Sequence, residues 1–136
     1  WAVGLDVIVA LGAYEAEHRA VLPNGTRVIV NPAWATTSMS DTASLALHDL
    51  GVALLTPVDT PPARPETLRA LLALEGDAVP TFRGEPGHPV RLAPPHPRGR
   101  LDVRLRTAAR FPVADPECLL NLNTPADWAR WRGFTP

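Results

Sequence analysis

The chain has 136 residues, enough for one domain and too few for two complete ones. Its hydrophobic fraction of 46% against 20% charged supplies a core and argues against disorder throughout. A net charge of -1, with no long block of either sign, gives no footprint for nucleic acid or an anionic membrane.

All 13 basic residues are arginine, so lysine chemistry is excluded within the chain. The single cysteine, Cys118, has no internal partner for a disulfide, and no Cys/His cluster has zinc-ligand spacing. A reducing cytoplasm is the expected setting. The longest apolar runs, such as residues 7–13, fall short of the roughly 18 residues that a membrane span needs. Residue 1 is tryptophan and a strand-like run follows almost at once, so a fragment, a processed chain or a numbering that drops an N-terminal part is expected.

In chain order, residues 5–11 form an apolar, β-branched run ended by Gly12, the pattern of a parallel strand buried on both faces. Residues 14–22 read as a short helix stopped by Pro23-Asn24-Gly25, and residues 27–30 as a second strand closed by Asn31-Pro32. A small, polar loop around Trp34 follows. Ser40 then offers an N-cap to a helix through Leu45, Leu47 and Leu50 that ends at Gly51. Residues 52–56 predict a third buried strand, and Pro65 with Glu66 opens an amphipathic helix through Leu68, Leu71, Leu72 and Leu74 to Gly76.

Residues 79–82 are a short strand, and the proline-rich stretch from Gly84 to Gly99 reads as an irregular excursion, too rich in proline for helix or central strand. A helix over 101–109 and a last strand over 111–114 follow. Thr124 caps a final helix, with Pro125 at its first position and Asp127 three residues after the cap. Strands alternating with helices of about ten residues imply βαβ crossovers, and so an α/β fold with a mostly parallel sheet flanked by helices. Ligands of such sheets bind beyond the carboxyl ends of the strands, so the loops after Val30, Thr56 and Ala114 are expected to share one rim.

Asp59 lies three residues past the third strand, bracketed by Pro57, Pro61 and Pro62. The prolines stiffen that turn and hold one carboxylate out, which suits a hard cation carrying phosphate oxygens; a capping role within its own turn is the other reading. Asn121 and Asn123 flank Leu122 before the last helix, where an asparagine carbonyl serves magnesium or simply caps the helix. Gly87 and His88 sit in a glycine- and proline-rich loop, where Gly87 lets the backbone approach a ligand and His88 is either functional or a solvated surface group. No GxGxxG after a strand, P-loop, GxSxG or HExxH is present, which removes the main support for dehydrogenase, serine hydrolase and zinc protease readings.

Taken in order, LDVIVALGA, VIVNPAWATTSMSDTASL, LLTPVDTPP, GEPGHPVRL and NLNTPADW resemble the MobA-like NTP transferase family, which includes molybdenum cofactor guanylyltransferases and cytidylyltransferases. The resemblance implies a Rossmann-like three-layer sandwich of the nucleotide-diphospho-sugar transferase kind, as one domain over residues 1–136 that lacks the family's first strand. It implies transfer of a nucleoside monophosphate from GTP or CTP to a phosphorylated acceptor such as molybdopterin, with Mg2+ as cofactor. Asp59 then falls on the magnesium-binding Asp-x-Pro turn, with Asn123 as its helper. Asn31 and Ser44 fall on the nucleotide-binding segment, and Gly87 with His88 on a loop that shapes the substrate site. The family's glycine-rich loop with an Arg-Met-Gly triplet and a lysine does not occur in this sequence, and Thr37 stands where glycine is more usual. A β-branched residue resists positive φ, so a changed loop is expected there. The alternative reading is a degenerate, non-catalytic binding module of the same fold. The nucleotide, the acceptor and the oligomeric state are not specified by the sequence.

Overall fold

The computed structural model describes residues 4–97 and 99–132, so Trp1 and Arg98 lie outside the described residues. The described residues form seven strands and five α-helices: β1 (Ile8–Leu11), α1 (Glu15–Val21), β2 (Arg27–Val30), α2 (Met39–Leu47), β3 (Ala53–Leu55), α3 (Pro65–Leu72), β4 (Ala78–Phe82), β5 (Glu85–Pro86), β6 (Val90–Leu92), α4 (Leu101–Arg106), β7 (Ala109–Pro112) and α5 (Pro125–Arg132), with a 3-10 turn at Pro116–Leu119. The architecture is α/β, with sheets flanked by helices as in Rossmann-like nucleotidyltransferases. The pairing is mixed rather than purely parallel: β1 with β2 and β4 with β7 are parallel, whereas β4 pairs antiparallel with β5 and β6.

The chain divides into two compact units, residues 1–53 with 93–106, and residues 54–92 with 107–136. In the first unit β1 and β2 run in register from Ile8 opposite Arg27 to Leu11 opposite Val30. β1 is half-buried rather than enclosed on both faces, with only Leu11 buried. Tyr14 holds φ 54 where the chain turns from β1 into α1, a left-handed conformation uncommon for a residue with a Cβ. Helix α2 starts at Ser38, two residues before the expected cap, because Ser38 and Asp41 make a reciprocal capping box: the Ser38 hydroxyl accepts from the Asp41 N–H at 3.2 Å, and the Asp41 carboxylate accepts from the Ser38 N–H at 2.8 Å. Ser40 lies in the first turn instead, its hydroxyl accepting from the Leu101 N–H at 3.2 Å.

In the second unit the strand order is β3-β6-β4-β5, with β7 on β4. β4 is buried along most of its length, as a central strand covered on both faces must be. Pro80 is tolerated there because its carbonyl accepts from the Gly87 N–H at 2.9 Å, so its missing N–H faces the break where β5 gives way to β6. The stretch expected to be irregular therefore contains two short strands, with Pro86 on the edge strand β5 and Pro89 just before β6. Helix α3 has Pro65 in its first turn and buries Thr67 and Leu71, and Gly76 at φ +66 completes the turn beyond it. Leu71 and Leu92 are fully buried, and each contributes about 1.5–3 kcal/mol to folding by the usual transfer measure.

Candidate active site

The loops after β3 and β7 share a rim within the second unit. The segment over residues 57–60 turns tightly, the Thr60 N–H donating to the Pro57 carbonyl at 3.3 Å, and the Asp59 carbonyl accepts from the Leu122 N–H at 2.7 Å. That bond clips Asn121-Leu122-Asn123 against the Asp59 turn and anchors the segment through buried Leu122. Asn121 and Asn123 are exposed on either side of it, and Asn123 borders a shallow depression with Trp128 and Arg132. Thr124 and Asp127 then cap α5, the Thr124 N–H donating to the Asp127 carboxylate at 2.9 Å and the Asp127 N–H to the Thr124 hydroxyl at 3.2 Å.

Two carboxylates of this rim are in opposite conditions. Asp115, buried, accepts from the Arg64 N–H at 2.9 Å, the Thr67 hydroxyl at 2.9 Å and the Glu117 N–H at 3.1 Å, with the Arg64 guanidinium 3.7 Å away. Its lone pairs are spent on tying α3 to the 3-10 turn. Asp59 is half-buried, and its carboxylate makes no hydrogen bond or ion pair among the described residues. Of the two, Asp59 is the one with coordinating capacity left. No three His, Cys, Asp or Glu side chains gather as a metal cage among the described residues. Magnesium does not require one, since it keeps several waters and binds through one or two carboxylates plus substrate phosphates. Asp59 offers one such carboxylate.

The Gly87-His88 loop meets the 3-10 turn. The His88 N–H donates to the Cys118 carbonyl at 2.8 Å, and a Cβ at position 87 would stand 2.3 Å from that same oxygen, so the approach needs glycine. Burial lowers the His88 pKa, opposed in part by the Asp59 charge and a hydrogen bond to the Leu55 backbone. The imidazole is therefore neutral at pH 7. His88 Nδ1 and Thr60 Oγ1 are both buried without a hydrogen-bond partner, and both belong to residues beside Asp59 in sequence or in electrostatic reach. Burial, with the Asp115 charge adding to it, pushes the Cys118 thiol up to about 11, so it is protonated at neutral pH and a poor nucleophile.

Asn31 and Ser44 belong to the first unit. Asn31 is buried, its amide donating to the Thr37 and Thr42 hydroxyls at 2.8 Å each and its carbonyl oxygen accepting from the Ala33 N–H at 3.0 Å. This fixes the loop that carries Trp34, whose Cβ would be 2.8 Å from a Cβ at Gly12. Thr37 does not adopt the positive φ that a glycine there would allow; its hydroxyl closes the loop by donating to the Ala33 carbonyl at 2.9 Å. Ser44 donates to the Ser40 carbonyl at 2.8 Å on the wall of a cleft of about 350 Å³ formed by α2 and residues 96–104. His96 and Arg104 beside that cleft, and Thr60 and Asp115 near the Asp59 turn, carry no local motif in the sequence.

No curated protein matches the chain. The profile of the MobA-like NTP transferase domain matches residues 2–112, a span that includes the Asp59 turn, the Gly87-His88 loop and parts of both units, and ends before Asn121 and Asn123. The family comprises nucleotidyltransferases, and the mixed α/β architecture accords with it. With more than half of its length matched, this chain belongs to the MobA-like NTP transferase domain family.

Proposed function

We propose that this chain, both units together acting as one domain, is a magnesium-dependent nucleotidyltransferase that moves a nucleoside monophosphate from GTP or CTP to a phosphorylated acceptor such as molybdopterin in the cytoplasm. An acceptor phosphate oxygen attacks the α-phosphorus, the bond to the bridging oxygen breaks, and pyrophosphate leaves. Such a transfer depends on position and charge neutralisation more than on acid or base groups. The cation supplies that neutralisation when bound.

The observation that carries this reading is the uncommitted Asp59 carboxylate on a turn held by prolines and clipped to the segment before α5. Asp59 would hold the cation, with the Asn123 carbonyl as a helper. Gly87 and His88 shape the acceptor side, the neutral imidazole adding no charge to a site that must also admit phosphate. Ser44 contacts the nucleotide, and Asn31 acts by fixing its loop, because its hydrogen bonds are already made. Titration calorimetry of GTP and CTP with magnesium, on the chain and on Asp59→Ala, tests this. The metal-dependent part of the affinity is expected to vanish in the variant, and equal affinity in both overturns the assignment.

A second reading, a non-catalytic binding module, is favoured by Thr37, which stands where glycine is more usual and closes its loop onto the Ala33 carbonyl. Nucleotide binding without release of pyrophosphate in the presence of acceptor distinguishes it.

A further inference from the structure

Beside Asp59 the chain buries two polar atoms that have no hydrogen-bond partner among the described residues, the Thr60 hydroxyl and His88 Nδ1. Thr60 is 8% exposed, and a hydroxyl sealed from solvent without a partner is unfavourable, so it calls for a specific occupant. Arg91 Nε shares that condition, but its guanidinium already donates to the Gly76 carbonyl beyond α3.

The backbone fixes where the two atoms stand. The turn is closed by the Thr60 N–H on the Pro57 carbonyl at 3.3 Å, clipped at the Asp59 carbonyl by the Leu122 N–H at 2.7 Å, and followed by Pro61 and Pro62. Leu55, the last residue of β3, leads into that turn. β3 neighbours β6 in the sheet, and His88 lies two residues before β6. The His88 ring is accordingly bonded to the Leu55 backbone and feels the Asp59 charge. One short segment therefore carries or meets a hydroxyl, an imidazole nitrogen and a carboxylate, each with hydrogen-bonding capacity left. A hydroxyl donates, a neutral imidazole accepts at one nitrogen, and a carboxylate only accepts. One water satisfies all three, with the three bonds usual for an internal water.

We infer that Thr60 is a positioning residue whose hydroxyl, through one internal water shared with His88 Nδ1, orients the Asp59 carboxylate. The water accepts from Thr60 and donates to Nδ1 and to one Asp59 oxygen, which leaves the other oxygen for a ligand. The inference rests on the reading of Asp59 as the cation's carboxylate, and partners of this kind commonly tune the affinity of a ligating carboxylate. Its test compares the 15N-labelled chain with Thr60→Val, which keeps the shape and removes the hydroxyl, and Thr60→Ser, which keeps the hydroxyl. A hydroxyl that was merely stranded would make the valine variant more stable. Instead, Thr60→Val is expected to lower the urea midpoint, to move the His88 Nδ1 resonance in metal-free chain at neutral pH, and to weaken Mn2+ binding by about tenfold in calorimetric titration. Thr60→Ser is expected to restore the resonance and the affinity. A raised midpoint, an unmoved Nδ1 resonance or an unmoved Mn2+ affinity in Thr60→Val overturns the inference. Failure of the parent chain to bind Mn2+ would instead refute the cation assignment of Asp59, and the midpoint and the resonance would then decide the water bridge by themselves.

Discussion

Gly87 shows how one hydrogen atom in place of a methyl group sets a site. The Cys118 carbonyl receives the His88 N–H, and that bond brings the 3-10 turn so close that a Cβ on residue 87 would meet its oxygen at 2.3 Å and its sulfur at 2.8 Å. The oxygen at 2.3 Å is backbone, so relief requires moving backbone whatever the sulfur does. Gly87→Ala is expected to cost about 1–3 kcal/mol in urea unfolding, the usual range for overpacking, and to shift the His88 ring resonances in NMR spectra. Unchanged stability would mean that the loop yields more readily than the contact implies. Asp115 makes a complementary case, since it is the acceptor for three donors drawn from α3 and the 3-10 turn. Asp115→Ala strands those donors, and a loss of about 3 kcal/mol or more is expected, whereas Asp59→Ala, whose carboxylate makes no bonds among the described residues, is expected to leave the unfolding midpoint nearly unmoved. The pair of variants separates a carboxylate used in folding from one reserved for a ligand.

Helix ends decided much of what was legible at the scale of elements. α3 and α5 announce themselves because Pro65 and Pro125 occupy first-turn positions and because Thr124 and Asp127 stand three residues apart, and both helices form where those signals put them. α2 was harder, since Ser38 and Ser40 both precede its apolar positions and only Ser38 has an acidic partner at the third position. Ser38→Ala is expected to cost about 1 kcal/mol of helix stability, seen as faster amide exchange in the first turn of α2; Ser40→Ala keeps the capping box and should leave those amides protected. The strands β5 and β6 escaped the sequence reading because proline normally argues against strand, and here the edge position and the break in pairing remove the need for its N–H. The Asp59 turn was visible because its prolines are local. The partners of Asp115 were not, because Arg64 and Thr67 lie 51 and 48 residues away, and periodicity carries no information over that distance.

Among the described residues the two shifted carboxylates, Asp41 and Asp127, and the shifted histidine act on stability in the same direction, in separate pH windows. Burial holds His88 below its ordinary 6.5 against the opposing Asp59 charge and Leu55 carbonyl, so near that value the unfolded chain takes up the proton more readily than the folded one. Stability from this group is complete above about 6.5 and declines as pH falls toward the folded-state value. Asp41 is held below 3.8 by the Ser38 N–H and then its hydroxyl, and Asp127 chiefly by the Thr124 hydroxyl. Their contributions survive the first window and are lost only as pH falls through their folded-state values, below 3.8. The urea midpoint should therefore decline between pH 7 and 5.5 and decline again in stronger acid. His88→Gln removes the titrating ring while keeping the backbone bond to Cys118, so it is expected to flatten the upper decline and leave the lower one in place. Parallel profiles for variant and parent between pH 7 and 5.5 would show that the imidazole is as well solvated in the fold as in the unfolded chain, and the neutral face it presents beside Asp59 would have to be given up.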